Sequence, residues 1–307
     1  MTTKEKITVG AAPVSWGVYE ANPQQGSNPP YEQVLGQIAA ARYAGVELGP
    51  YGYLPTNPDA LAGLLARYNL QLGSSYIAFP LDAPERVERR LPLLAELCAL
   101  LSHFRVPFVM AAADATPERE AIAGSVPGDG SKGWNAAQWD EVRISMARIC
   151  DVVQHYPGLR IAFHHEASSP VESPAEIERL LAVTDPEIVG LCFDTGHIVY
   201  GGGDPVELAQ RLADRIWYVH LKDVWPNRLS NVRRNQLPAG EAWAMGVFAE
   251  LGKGSARIPQ VVERLLKNGY AGWIIVEQDI VASNVAPDAP ARSAAESRAY
   301  LKREFGI

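Results

Sequence analysis

Eight short, mostly apolar runs, each followed by an amphipathic segment of helical length, alternate along the whole 307-residue chain. The runs are ITVGAAPVSW (7–16), GVELG (45–49), LQLGSSYIAF (70–79), PFVMAAAD (107–114), RIAFHHE (160–166), VGLCFDT (189–195), RIWYVHLKD (215–223) and GWIIVEQ (272–278). Helical periodicity predicts helices near 31–43, 58–68, 84–103, 137–156, 174–183, 205–213, 258–269 and 291–304. Strand followed by helix, eight times over, with no Ser/Gly linker and no change of composition midway, predicts a single closed (β/α)8 TIM barrel spanning 1–307. An open doubly wound sheet is the competing architecture. Its dinucleotide-binding form would carry GxGxxG in the first strand-to-helix turn, which here reads VSWGVYEANPQQG.

Composition narrows the function classes. With 47% hydrophobic and 21% charged residues the chain can bury a full core and matches no disordered or fibrous profile. Twenty-eight Lys and Arg against thirty-five Asp and Glu leave a net charge of −7, which offers no general attraction to nucleic acid or to an anionic membrane. Cys98, Cys150 and Cys192 are too few and too scattered for a disulfide framework, and the lead MTTKEKITVG has no signal-peptide pattern. No window approaches the roughly 18 uninterrupted apolar residues of a membrane span. The expectation is a soluble cytoplasmic protein acting on a small molecule, with a homo-oligomer compatible with the fold.

Three strand-to-helix connections are long, at about 115–136, 224–247 and 279–290. In a barrel these emerge at the C-terminal face, where active sites of this fold sit. Acidic and imidazole side chains gather at the same end of the last four strands: His164-His165-Glu166, Asp194 with His197 three residues on, His220 with Lys222 and Asp223, and Glu277 with Asp279. Converging carboxylates and imidazoles repel and are hard to desolvate unless a cation sits among them. Such donors without thiolate suit Mn²⁺, Co²⁺, Fe²⁺ or Zn²⁺ alike, whereas Ca²⁺ prefers all-oxygen ligation. The expected cofactor is one divalent ion, Mn²⁺ or Co²⁺, with Fe²⁺, Zn²⁺ or Mg²⁺ as alternatives.

Each residue also has a structural reading. Asp194 could simply cap a helix, and His220 could be a buried, hydrogen-bonded histidine. Glu277 closes an otherwise apolar strand, where a charge is expensive without a function. In strand 5, alternation puts His164 and Glu166 on one face and His165 on the other, so either of the first two could be the fourth ligand. Lys222 shares the face of His220 and could polarise an oxygen near the metal, or could pair with Asp223 or Asp194. His197 is a candidate acid/base or outer-sphere donor, and a solvated loop histidine otherwise. In the first half, Glu47 is a candidate base or hydroxyl acceptor. Trp16 and Tyr76 are core or the aromatic wall of a sugar-like pocket.

The segments APVSW, GVELGPYGYLP, FHHEASSPVESPAEIERLL, FDTGH, VHLKDV and GYAGWIIVEQD resemble the xylose-isomerase-like sugar isomerase/epimerase barrels, and within them the inosose dehydratase group. The resemblance runs through most of the chain. It implies that Asp194, His220 and Glu277 bind one divalent metal with a fourth ligand from strand 5, Glu166 with His164 as the alternative. The isomerases place Glu at the position of His164, and dehydratase-like members show His-Pro-His where this chain has His-His-Glu. The expected activity is metal-dependent dehydration of a cyclic polyhydroxy ketone through an enediolate. Glu166, His164, Lys222 and Glu47 are its candidate proton carriers, with His197 in support. Trp16, Tyr76, His164, His197 and Lys222 would contact the substrate. Ketose isomerisation or epimerisation, C-glycoside cleavage on the same site, and a non-catalytic sugar-binding barrel are the alternatives. Three-metal endonuclease members need several more histidines than the six present here, two of which, His103 and His155, fall on predicted helices.

Overall fold

The computed structural model describes residues 6–19, 28–127 and 130–307. The charged lead 1–5, positions 20–27, which include most of the first strand-to-helix turn, and 128–129 of the connection expected at 115–136 lie outside the described residues.

The strands are β1 (Ile7–Ala11), β2 (Gly45–Val46), β3 in two pieces (Gln71–Leu72 and Tyr76–Phe79), β4 (Phe108–Ala113), β5 (Arg160–His164), β6 (Val189–Asp194), β7 (Ile216–Leu221) and β8 (Gly272–Val276). Neighbours in the chain are parallel neighbours in the sheet, and β1 lies against β8 with Ile7 opposite Gly272. Strand β3 completes the ring by changing partners midway. Its first piece pairs with β2 and its second with β4. Between them, Leu48 N–H donates to the Ser74 carbonyl and Met110 N–H to the Ser75 carbonyl, each at 2.9 Å. Gly73 stands at this break because a Cβ there would lie 2.8 Å from the Tyr218 hydroxyl inside the barrel.

The strands are shorter than the apolar runs that announce them. Pro13 supplies no N–H to a ladder, so the first run leaves β1 for a 3-10 turn, Pro13–Trp16. The outer layer contains helices α1 (Tyr31–Ala40), α2 (Pro58–Tyr68), α3 (Leu91–His103), α4 (Ala136–Gln154), α5 (Pro174–Ala182), α6 (Thr195–Tyr200), α7 (Pro205–Arg211), α8 (Pro226–Asn235), α9 (Ala239–Ala244), α10 (Ile258–Lys267) and α11 (Ala289–Phe305). The expected helix 84–103 is divided, because Pro92 starts α3 afresh after two short turns. Helix α5 begins where Ser173 and Glu176 close a capping box, and it buries Ile177, Leu180 and Leu181.

The connection expected as an irregular loop at 224–247 instead holds α8 and α9. Only Leu229 and Val232 are buried on α8, an apolar stripe too thin to register as helical periodicity. An antiparallel pair, Asp223–Val224 with Phe248–Ala249, ties this excursion to the barrel. Nearby, Arg119 forks onto Glu176 at 2.7 and 2.9 Å, while Glu172 accepts from Gly124 N–H at 2.7 Å and Ser168 N–H at 3.0 Å. These buried bonds fasten the connection after β4 to the one after β5.

Inside the barrel, Met110, Ala162, Cys192, Tyr218 and Ile275 pack with Ala12 as an apolar layer. Adding two residues along β5, β6, β7 and β8 leads to His164, Asp194, His220 and Glu277, which face the same interior one layer higher.

Asp223 anchors the backbone next to that layer. Its Oδ1 accepts from Val224 and Ala256 N–H at 2.9 and 2.8 Å, and its Oδ2 from Gly252 and Gly254 N–H at 3.0 and 2.9 Å. Buried donors left without an acceptor are expensive, so Asp223→Ala is expected to lower unfolding free energy by roughly 3 kcal/mol or more. Urea denaturation checks this, and wild-type stability in the variant would contradict it.

Candidate metal centre at the C-terminal mouth of the barrel

His164 ends β5, Asp194 ends β6, His220 is the penultimate residue of β7, and Glu277 follows β8. Each offers one ligand atom, and the four atoms all lie within 4.8 Å of one another. All four side chains are buried. His220 Nδ1 is 3.2 Å from Glu277 Oε2 and 3.8 Å from Asp194 Oδ2, and His164 Nε2 is 3.7 Å from the same Asp194 oxygen.

Asp194 plays two parts. Its Oδ1 caps α6 by accepting the His197 N–H at 2.9 Å, while Oδ2 faces the group. Among the described residues, Asp194 Oδ2 and both ring nitrogens of His164 have no hydrogen-bond partner despite their burial. Unbonded buried polar atoms are destabilising unless another species satisfies them. Two imidazoles and two carboxylates, among them the unbonded ring of His164 and Asp194 Oδ2, make a donor set that fits a divalent cation, and the site is one that could hold it. Cys192 Sγ also approaches His164 and His220 from the layer below, but burial pushes its thiol up and keeps it neutral.

Around the four donors lies a charged cluster. Lys222 Nζ sits 2.9 Å from Glu277 Oε2, 3.1 Å from Asp279, 3.3 Å from Asp194 Oδ2 and 3.0 Å from His197 Nε2. Its stem passes over α6, where a Cβ on Gly196 would lie 2.5 Å from Lys222 Cγ. Burial disfavours a charged amine, yet Asp194, Asp279 and Glu277 outweigh it and hold the ammonium well above its usual range. Burial likewise opposes ionisation of Asp194, and the Lys222 charge reverses the balance, holding it well below the usual carboxylate range. Asp279 is pushed up to about 6 by burial, with Lys222 opposing and Glu277 and Asp194 adding to the rise. Burial and the Lys222 charge keep His197 neutral, and its Nδ1 accepts the Ala167 N–H at 3.3 Å.

The other candidates divide. Glu166 is outside the four-donor group: its Oε1 accepts from the Tyr76 hydroxyl at 2.7 Å, and its Oε2 lies 3.3 Å from His164 Nδ1. At 19% side-chain exposure it is more accessible than the four donors beneath it. Glu47 Oε1 is 2.9 Å from His220 Nε2. Trp16 is buried in the core, and its indole N–H donates to Gln37 on α1 at 2.7 Å, so it is not brought to the cluster. Lys222 pairs with Asp194 and not with Asp223, whose oxygens are taken by backbone N–H groups. Asp279 was not singled out as a candidate, although its place two residues past Glu277 is the alternation that would have found it.

His165, on the opposite face of the strand, accepts the Asp194 N–H at 3.2 Å through Nε2. Burial lowers it from 6.5 to about 3. Neutral His165 therefore stabilises the fold fully above pH 6.5, and that contribution is lost as pH falls from 6.5 toward about 3. Relative to His165→Gln, the wild type should lose about 1.4 kcal/mol of stability per pH unit in that window. Urea unfolding at stepped pH measures the slope, and parallel curves for the two proteins would contradict it.

The family profile of the xylose isomerase-like TIM barrel matches residues 35–304, and the chain belongs to that family. An inosose dehydratase from Geobacillus kaustophilus (strain HTA426) is 32% identical over 285 residues, covering 90% of this chain and 89% of that protein. The rhizopine catabolism protein MocC from Rhizobium meliloti is 31% identical over 304 residues, covering 98% and 90%. Among solved structures, the IOLI protein with a bound zinc atom superposes with a TM-score of 0.70 at 14% identity, over 98% of this chain and 100% of that one.

Proposed function

We propose that this protein is a divalent-metal-dependent lyase that dehydrates a cyclic polyhydroxy ketone of the inosose type. The observation that carries the reading is the buried His164, Asp194, His220 and Glu277 group, in which the His164 ring and Asp194 Oδ2 lack hydrogen bonds and beside which lies a buried lysine, in a barrel 32% identical to an inosose dehydratase. In this reading those four residues hold the metal, with His164 as the donor from β5 and Mn²⁺ or Co²⁺ as the ion, although Fe²⁺ and Zn²⁺ suit a mixed imidazole and carboxylate set as well. The ion, when bound, stabilises the negative charge that grows on a carbonyl oxygen as the α-proton leaves.

The protein's own groups handle the protons. Glu166, held by the Tyr76 hydroxyl on the accessible side of His164, takes the α-proton as its C–H bond breaks. Lys222, about 3 Å from two of the proposed ligands, gives a proton to the departing β-hydroxyl, which leaves as water. His197 and Asp279 orient that ammonium from behind. No oxidant or reductant is required. The enclosed, net-acidic setting favours a small neutral substrate over nucleic acid. Free, buried Cys98, Cys150 and Cys192 accord with a reducing cytoplasm, and no helix among the described residues is long and apolar enough to cross a membrane.

Asp194→Asn keeps the helix cap while removing the charge. It and Glu277→Ala are each expected to lose most bound metal and turnover in a folded barrel. His164→Ala should behave likewise, whereas Glu166→Gln should keep its metal and lose turnover. Elemental analysis of desalted protein, with an ultraviolet assay of inosose dehydration with and without chelator, reads both quantities. Metal lost from Glu166→Gln and kept by His164→Ala would reverse the assignment of the fourth donor. Metal binding without dehydration would move the reading to epimerisation, isomerisation or C-glycoside cleavage.

A further inference from the structure

Glu47 is a buried carboxylate from the first half of the barrel, reaching a cluster otherwise built by the second half. It stands just beyond β2, where its N–H donates to the Ala11 carbonyl at 3.2 Å and the next residue, Leu48, donates to Ser74. Both neighbours in the ring of strands thus fix its backbone. Its Oε1 meets His220 Nε2 at 2.9 Å, and both side chains are nearly sealed from solvent, at 6% and 2% exposure. Tyr218 fills the layer beneath: burial first, and then the Glu47 charge, raise its phenol well above the usual range.

The two nitrogens of His220 therefore have different surroundings. Nδ1 looks toward Glu277 Oε2 and Asp194 Oδ2, at 3.2 and 3.8 Å, and Nε2 looks the other way, toward Glu47. A histidine that coordinates through one nitrogen must carry its proton on the other, and a buried N–H without an acceptor is destabilising. We propose that Glu47 is a positioning residue that accepts the Nε2–H of His220 and so fixes the tautomer and ring orientation that present Nδ1 to the metal. The proposal rests on the metal reading above. It also removes Glu47 from proton transfer: the imidazole of His220 stands between it and the four-donor group, so a substrate held at that group meets the ring before it meets the carboxylate.

Carboxylates in this relation to a ligand histidine typically contribute 10–100-fold in metal affinity, and Glu47→Ala is expected to weaken metal binding by roughly that factor. Glu47→Gln, whose amide oxygen still accepts the Nε2–H, should fall between wild type and Glu47→Ala. The experiment titrates chelator-stripped, full-length protein with Mn²⁺, Co²⁺ and Zn²⁺, and records ¹⁵N-histidine spectra of the Zn²⁺-loaded forms. In the wild type, His220 should show an Nε2-bound proton. A proton on Nδ1 instead would overturn the proposal without recourse to any variant, and so keeps it testable even if Glu47→Ala does not fold. Unchanged affinity in a folded Glu47→Ala would also overturn it. So would a Glu47→Ala variant that binds metal normally but has lost kcat, since Glu47 would then be a proton carrier. If the wild type binds none of the three ions, the metal reading itself falls and the proposal with it, whereas normal wild-type binding confines any failure to Glu47.

Discussion

Successive side chains of a strand face opposite sides, and closing eight strands into a ring turns one of those sides into an enclosed interior. Everything chemical in this molecule depends on that constraint. Ala162, Cys192, Tyr218 and Ile275 face inward and fill the barrel with apolar volume. Two positions later on the same strands come His164, Asp194, His220 and Glu277. The polar group thus rests on a packed floor that excludes water from below and limits how far its members can move apart.

Such a floor would be ruinous for isolated charges, because desolvating a carboxylate or an ammonium costs several kcal/mol even after relaxation. The structure answers by dense pairing. Lys222 touches Asp194, Glu277 and Asp279, and Glu47 and Glu277 flank opposite nitrogens of His220. What the pairing leaves without a hydrogen bond are the ring nitrogens of His164 and Asp194 Oδ2, and of these His164 Nε2 and Asp194 Oδ2 face each other at 3.7 Å. That residue of unsatisfied polarity, more than the number of charges, makes the group read as a binding centre and not as a structural ion-pair network.

The long connections frame the centre. The excursion after β7 folds into α8 and α9, and Phe248 at its return lies 5.8 Å from the His197 ring and 5.1 Å from Lys222 Nζ. Against that excursion, Arg119, Glu172 and Glu176 lock the connections after β4 and β5 together, and the Ser168 and Ala167 N–H groups reach Glu172 and His197. The mouth is built by loops, but loops held at their roots by buried charge-assisted bonds.

Eight strands were legible in the sequence because period-two and 3.6-residue patterns are local properties, written within ten residues or so of themselves. Asp194, His220 and Glu277 could be noticed for a related reason: each interrupts an apolar run at the end where a barrel carries its site. Helices α8 and α9 were not legible, since each buries only two residues, Leu229 and Val232 on one and Ala239 and Ala242 on the other. Alternation puts His164 and Glu166 on one face and says nothing of their depth. Only the closed ring sets His164 level with Asp194 and His220 and leaves Glu166 one layer out, bonded to Tyr76 from a strand 90 residues away. Glu47 and His220, 173 positions apart, belong to the same class. Sequence by itself determined which residues form strands and which face inward, because those follow from local sterics and hydrophobic burial. Tertiary structure decided which inward residues stand at one height and touch, because height depends on the stagger of strands far apart in the chain.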